Sequence, residues 1–156
     1  MTLHALNRAI AQPVAGPSEP PGGPWQYGLQ VPHDPRAAGI ARATVATVLR
    51  THDAATLVET AELLVSELVT NAFRYSEGSV LVRMRWSDRL LRVTVRDTNP
   101  RPPVAGDDPA NGNRTRGRGL FLVRRLAHRW GHYDFAQSTG GKAVWFELAD
   151  PPGSAG

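Results

Sequence analysis

The sequence predicts a two-layer α+β sandwich, with helices on one face of a mixed, largely antiparallel sheet. Three observations predict it. Residues 54–75 carry the 3.6-residue period of a long amphipathic helix, residues 79–86 and 89–96 alternate as paired strands, and a second alternating pair stands near 131–137 and 142–148. Consecutive strands joined by short turns favour antiparallel pairing, and helices segregated from them favour a single helical layer.

Taken in order, Trp25 to Val31 reads as a short strand. Pro35 suits the first turn of a helix capped by Asp34, which runs to about Arg50 with Ile40, Val45, Val48 and Leu49 as its apolar positions. Asp53 is the expected cap of the main helix, whose buried stripe is Leu57, Ala61, Leu64, Leu68, Ala72 and Tyr75. Glu67 and Asn71 fall on the flank of that stripe, at the edge of the core. The next two strands join tightly near Ser87-Asp88. Leu91, Val93 and Val95 share a face, and the period of two carries Asp97 inward with them. Residues 98–116 are rich in breakers and lack periodicity, as a lid or a disordered loop would. A helix over about 118–129 follows, and Gly140-Gly141 separates the last two strands. Trp130, Trp145 and Phe146 read as core.

Composition sets bounds on what the chain can be. Its 156 residues suffice for one domain with a real core. The expected division is a flexible N-terminal tail over 1–24, a single domain over 25–149 and a flexible C-terminal tail over 150–156. No cysteine is present, which excludes disulfides and thiolate metal sites. No apolar run approaches the roughly 18 residues of a membrane span, and Met1 to Gln12 has no continuous apolar segment of the signal-peptide kind. No membrane association and a cytoplasmic location are therefore expected. The net charge of +4 is carried by arginine, since Lys142 is the only lysine. The arginines are spread over helices, strands and loops, and no zinc-finger or helix-turn-helix pattern accompanies them, so direct nucleic-acid binding is not expected.

Three features carry candidate chemistry. Glu67 and Asn71 lie four residues apart, one turn from each other on one helix face. An amide oxygen can ligate a hard cation, and a carboxylate one turn away can take a proton from a hydroxyl; two polar residues flanking an ordinary amphipathic helix would look the same. Asp97 can accept a hydrogen bond from the exocyclic amine of adenine, or simply start the turn at Asn99-Pro100. Gly117-Arg118-Gly119-Leu120 opens a helix whose free N–H groups favour phosphate, with Arg114 and Arg116 nearby; it is neither a dinucleotide fingerprint nor a Walker A loop. The five histidines show no metal-ligand spacing.

These residues, in this order, resemble the ATPase domain shared by gyrase, Hsp90, histidine kinases and MutL (the Bergerat ATP-binding fold). Within that superfamily the chain is most similar to the anti-sigma-factor serine kinases. Ser66-Glu67-Leu68-Val69-Thr70-Asn71-Ala72 matches the N box, Val95-Arg96-Asp97 the adenine-reading acid, and Gly117-Arg118-Gly119-Leu120 the second glycine box. Gly140-Gly141-Lys142-Ala143-Val144-Trp145-Phe146 looks like the start of the final strand. The resemblance implies ATP and Mg²⁺ as cofactors, Glu67 as general base and Asn71 as the magnesium ligand. It implies nucleotide contacts from Asn71, Asp97, Asn99, Arg116, Gly117, Arg118, Gly119, Leu120 and Lys142. Ile40 to Ala46 resembles the first helix, where Arg42 falls on an arginine that contacts a sigma factor. Implied partners are a sigma factor and a STAS-type antagonist of the anti-sigma factor, with a homodimer through the N-terminal strand and first helix.

The chain departs from the family at Thr98, Asn99 and Pro100, where glycines usually follow the acid, and at Lys142, where a threonine is common. It carries no phospho-acceptor helix, so a histidine kinase is not expected. The first reading is an ATP-binding serine/threonine kinase. The second is a non-catalytic nucleotide-binding module, and the third a DNA-binding regulator.

Overall fold

The structure, a computed structural model, describes residues 23–97, 121–134 and 141–151. Strand β1 (Trp25–Val31) leads into helix α1 (Ala37–Thr51), then a single 3₁₀ turn (Ala55–Leu57) and helix α2 (Val58–Tyr75). Strands β2 (Val80–Ser87) and β3 (Leu90–Asp97) follow, then helical residues 121–126 (α3), and strands β4 (Arg129–Asp134) and β5 (Lys142–Ala149). The sheet order is β1-β2-β3-β5-β4, and all four pairings are antiparallel. The expected sandwich of helices against a largely antiparallel sheet is present, with no parallel pair among the described strands.

Local chemistry explains most element boundaries. The Asp34 carboxylate accepts the Arg36 backbone N–H at 2.8 Å and the Arg36 side chain at 2.9 and 2.8 Å, fixing the turn that enters α1. That guanidinium holds the Asp34 carboxyl well below its ordinary range. Asp53 does not cap α2 as expected. It sits in the left-handed region at φ 60° and closes α1 instead, letting the Ala54 N–H reach the Leu49 carbonyl at 2.8 Å. Helix α2 begins later, at Val58, after the 3₁₀ turn. Asp88 and Arg89 both have positive φ (52° and 64°), so the hairpin turns one residue beyond the expected Ser87-Asp88. Arg129 belongs to β4, not to the preceding helix, because its ladder with Glu147 begins there.

The core lies between the sheet and the helices. Val80, Val82, Met84 and Trp86 of β2 face Leu91, Val93 and Val95 of β3, and α2 covers them with Ala61, Leu64, Val65, Leu68 and Val69. Ile40 is expected inside but is 51% exposed; α1 buries Val45, Val48 and Leu49 as expected, with Ala37 and Ala41 in place of Ile40. A cluster of rings closes one end of the layer. Trp25 stacks on His52 at 4.7 Å and lies parallel to Trp86 at 5.9 Å, while the Tyr27 hydroxyl is 2.7 Å from His52 Nε2.

Among the described residues, the second face of the sheet carries no helix. Strand periodicity sends every other side chain of β2 and β3 outward, so Arg83, Arg85, Arg92 and Arg96 emerge on that side, joined by Arg129. The expectation of scattered arginines therefore fails here: positions separate in sequence share one face because antiparallel pairing sets them side by side. Trp145 also faces this side, opposite Thr94 and Gly131, and so lies outside the helix-covered core expected for it; Phe146 is fully buried there.

Candidate functional site

Helix α2 packs against β3, and a cavity of about 340 Å³ opens between this helix and residues at one end of β3, β5 and β4. Leu68, Asn71, Ala72 and Tyr75 line it from α2, Val95 and Asp97 from β3. His132, Tyr133, Lys142, Ala143 and Val144 complete it from β4 and β5. The walls are mostly apolar with a few convergent polar groups, the usual construction of a small-molecule site.

Each polar group is there for a local reason. Asn71 follows Leu68 by three residues on a helix whose stripe is buried, so it reaches the cavity from the stripe's flank. Its Oδ1 is buried and accepts no hydrogen bond among the described residues. Such an oxygen costs roughly 1–3 kcal/mol of desolvation, which a ligand supplying positive charge would recover. Asp97 ends the inward row Leu91, Val93, Val95 and is only 9% exposed. Continuing the β3–β5 register beyond Arg96 and Ala143 sets Lys142 across from Asp97. Lys142 makes no ion pair or hydrogen bond among the described residues. Gly141, just before it, has φ 90°, a conformation that L side chains rarely adopt.

Three of the residues singled out in the sequence thus meet in one cavity: Asn71, Asp97 and Lys142. Glu67 lies one turn earlier on α2, half-buried and outside the cavity lining. Arg42 is exposed on α1. Asn99, Arg116, Gly117, Arg118, Gly119 and Leu120 lie outside the described residues, as does the rest of the loop 98–116. Sequence reasoning missed His132 and Tyr133 as lining residues and took Tyr75 for core. A period-two reading from Trp130 would have sent His132 inward, but the strand is too short to make that signal stand out.

An apolar cavity beneath one long helix, with an amide at one side and an acid at the end of a central strand, defines a nucleotide-binding domain of α+β type. The chain belongs to the histidine kinase-like ATPase domain family, which it matches over residues 31–148. That span runs from the end of β1 to within one residue of the end of β5 and includes the whole cavity. This places the chain in the ATP-binding superfamily of gyrase, Hsp90, histidine kinases and MutL. None of the curated proteins compared with the chain matches it significantly.

The family implies ATP with Mg²⁺, and the residues present fit both. The unpaired Oδ1 of Asn71 is a hard oxygen donor of the type magnesium prefers, and it adds no further negative charge beside a triphosphate. Bound magnesium would offset that triphosphate charge. Asp97 lines the same cavity, and a carboxylate can accept the adenine amine, which guanine replaces with a carbonyl oxygen. Among the described residues no helix is long and apolar enough to cross a membrane.

Proposed function

We propose that this protein is an ATP-dependent regulatory kinase of the anti-sigma-factor type, which holds a sigma factor and phosphorylates a serine or threonine of a STAS-type antagonist. The observation supporting it most is the buried, unpaired Asn71 oxygen in the same cavity as Asp97. In this reading Asp97 selects adenine and Asn71 supplies an oxygen to the metal on the triphosphate. The partner's hydroxyl oxygen bonds to the γ-phosphorus while the bond from that phosphorus to the β–γ bridging oxygen breaks. ADP leaves, and the hydroxyl proton passes to Glu67. Such transfer depends mainly on positioning and charge stabilisation. Arg42, exposed on α1, would meet the sigma factor.

Glu67→Ala is expected to retain nucleotide binding and to lower phosphotransfer about 10²–10⁴-fold, scored with radiolabelled ATP and the antagonist. Full transfer by that variant would remove Glu67 from its role.

One observation favours a second reading. Glu67 does not line the cavity, and Thr98, Asn99 and Pro100 replace the glycines of the family pattern. A nucleotide-binding module without transfer would use occupancy to shift its choice of partner. The same labelled assay separates the two: bound nucleotide with no phosphoserine or phosphothreonine on a supplied sigma factor or antagonist selects the module. A cytoplasmic location and a homodimer through β1 and α1 go with either reading.

A further inference from the structure

Among the described residues, the face of the sheet opposite the helices carries Arg83, Arg85, Arg92, Arg96 and Arg129 against a single carboxylate, Glu147. That balance equals the net charge of the entire chain, +4, so the remainder is neutral in sum. The cross-strand register puts Arg85, Arg92, Glu147 and Arg129 in one row over four strands, about 4.8 Å apart from strand to strand.

Glu147 is buried between two of them, 3.2 Å from Arg92 and 3.6 Å from Arg129. Nothing comparable serves β2. Arg83 and Arg85 are exposed and make no ion pair among the described residues, and Arg85 stands directly opposite Arg92. Like charges in that relation weaken a sheet. The fold therefore keeps a repulsion that an outside anion would relieve.

We infer that this arginine face is a docking surface for an acidic protein segment, one presenting several carboxylates. Its composition is that of a protein interface: arginine and tryptophan, no lysine, and a lone acid already paired. A nucleic acid is the other polyanion to consider, but Trp145, the ring beside these arginines, is occupied on both sides. A Cβ on Gly131 would come within 2.6 Å of the Trp145 indole, so the ring lies against that glycine. The Arg92 guanidinium stands over the same ring, 4.0 Å from its centroid. Trp145 is therefore not an open stacking platform of the kind that single-stranded recognition needs, and the exposed Tyr133 stands apart from the row of Arg85, Arg92 and Arg129. Trp145 instead holds Arg92 in a fixed pose, with Glu147 at its other side, and a planar, preset guanidinium suits bidentate carboxylate binding. The cavity is lined mainly from the opposite side of the sheet and lies toward Asp97, away from the row of Arg85, Arg92 and Arg129, so a partner on that row would leave the nucleotide site open.

The test is fluorescence anisotropy of the full chain with three labelled probes: poly-L-glutamate, a single-stranded oligothymidylate of equal charge, and a duplex DNA. Binding to polyglutamate is expected, weakened by salt, and weakened about tenfold or more by Arg83→Glu with Arg85→Glu. Arg50→Glu with Arg74→Glu makes the same change in net charge on the helices and is expected to leave most of the affinity. No binding to polyglutamate, equal loss with the helical pair, or tighter binding to either nucleic acid would overturn the inference. Unchanged melting of the β2 variant confirms that the loss is not one of folding.

Discussion

At the scale of a single side chain, Asn71 carries the most information about the cavity. Its amide oxygen is buried, belongs to a residue lining a ligand-sized cavity and accepts no hydrogen bond among the described residues. A residue kept for stability would not leave such an atom unpaired, since the penalty is about 1–3 kcal/mol. Asn71→Ala is therefore expected to change the urea-unfolding free energy of the ligand-free chain by less than about 1 kcal/mol. The same variant should lose at least about tenfold in affinity for ATP in the presence of Mg²⁺, read by titration with labelled nucleotide. A large stability loss with unchanged affinity would make it a structural residue. Asp97, although buried too, is a different case, because that residue has an interaction partner within the fold.

At the scale of elements, the end of α1 concentrates two testable features. Asp53 occupies a left-handed position that glycine fills without strain, so Asp53→Gly is expected to stabilise the fold by about 0.5–1 kcal/mol in urea titration. His52, next to it, sits under Trp25 and beside Tyr27, and burial lowers its pKa below the ordinary 6.5. The unfolded chain then takes up this proton at higher pH than the folded one. Stability from the neutral imidazole is complete above 6.5 and declines as pH falls from there through the lower folded value. Between pH 7 and 5 the unfolding midpoint should fall less in His52→Gln than in the native chain.

These two residues also show what the sequence disclosed. Strong periods told the truth: the α2 stripe, the inward row ending at Asp97 and the strand pairs were all readable, because burial repeats at a fixed spacing. Asp53 was misread because an aspartate before an apolar run looks like a helix cap, and only the Ala54–Leu49 hydrogen bond shows it ending the previous helix. Asn71, Asp97 and Lys142 could be singled out from the sequence, but not that β3 and β5 would align two of them. Nor could the arginine face be read, since it arises from the pairing of strands distant in sequence.

For the whole molecule, the sheet separates two chemistries. One side carries the helices and a nucleotide cavity, the other a concentration of positive charge. A ligand that binds only the folded chain stabilises it by mass action, by about 1.4 kcal/mol at ten times its dissociation constant. ATP with Mg²⁺ should therefore raise the thermal midpoint of the native chain, and Asp97→Asn should abolish most of that rise while ATP and GTP become less distinct. The position of Lys142 has a practical consequence as well. The chain's single lysine lines the cavity and makes no ion pair among the described residues, so an amine-selective acylating reagent has one side-chain target, placed in the cavity wall. Mass spectrometry of the acylated peptide then becomes a footprint of occupancy: nucleotide should shield that amine, and the rate of modification would report binding without any label on the ligand.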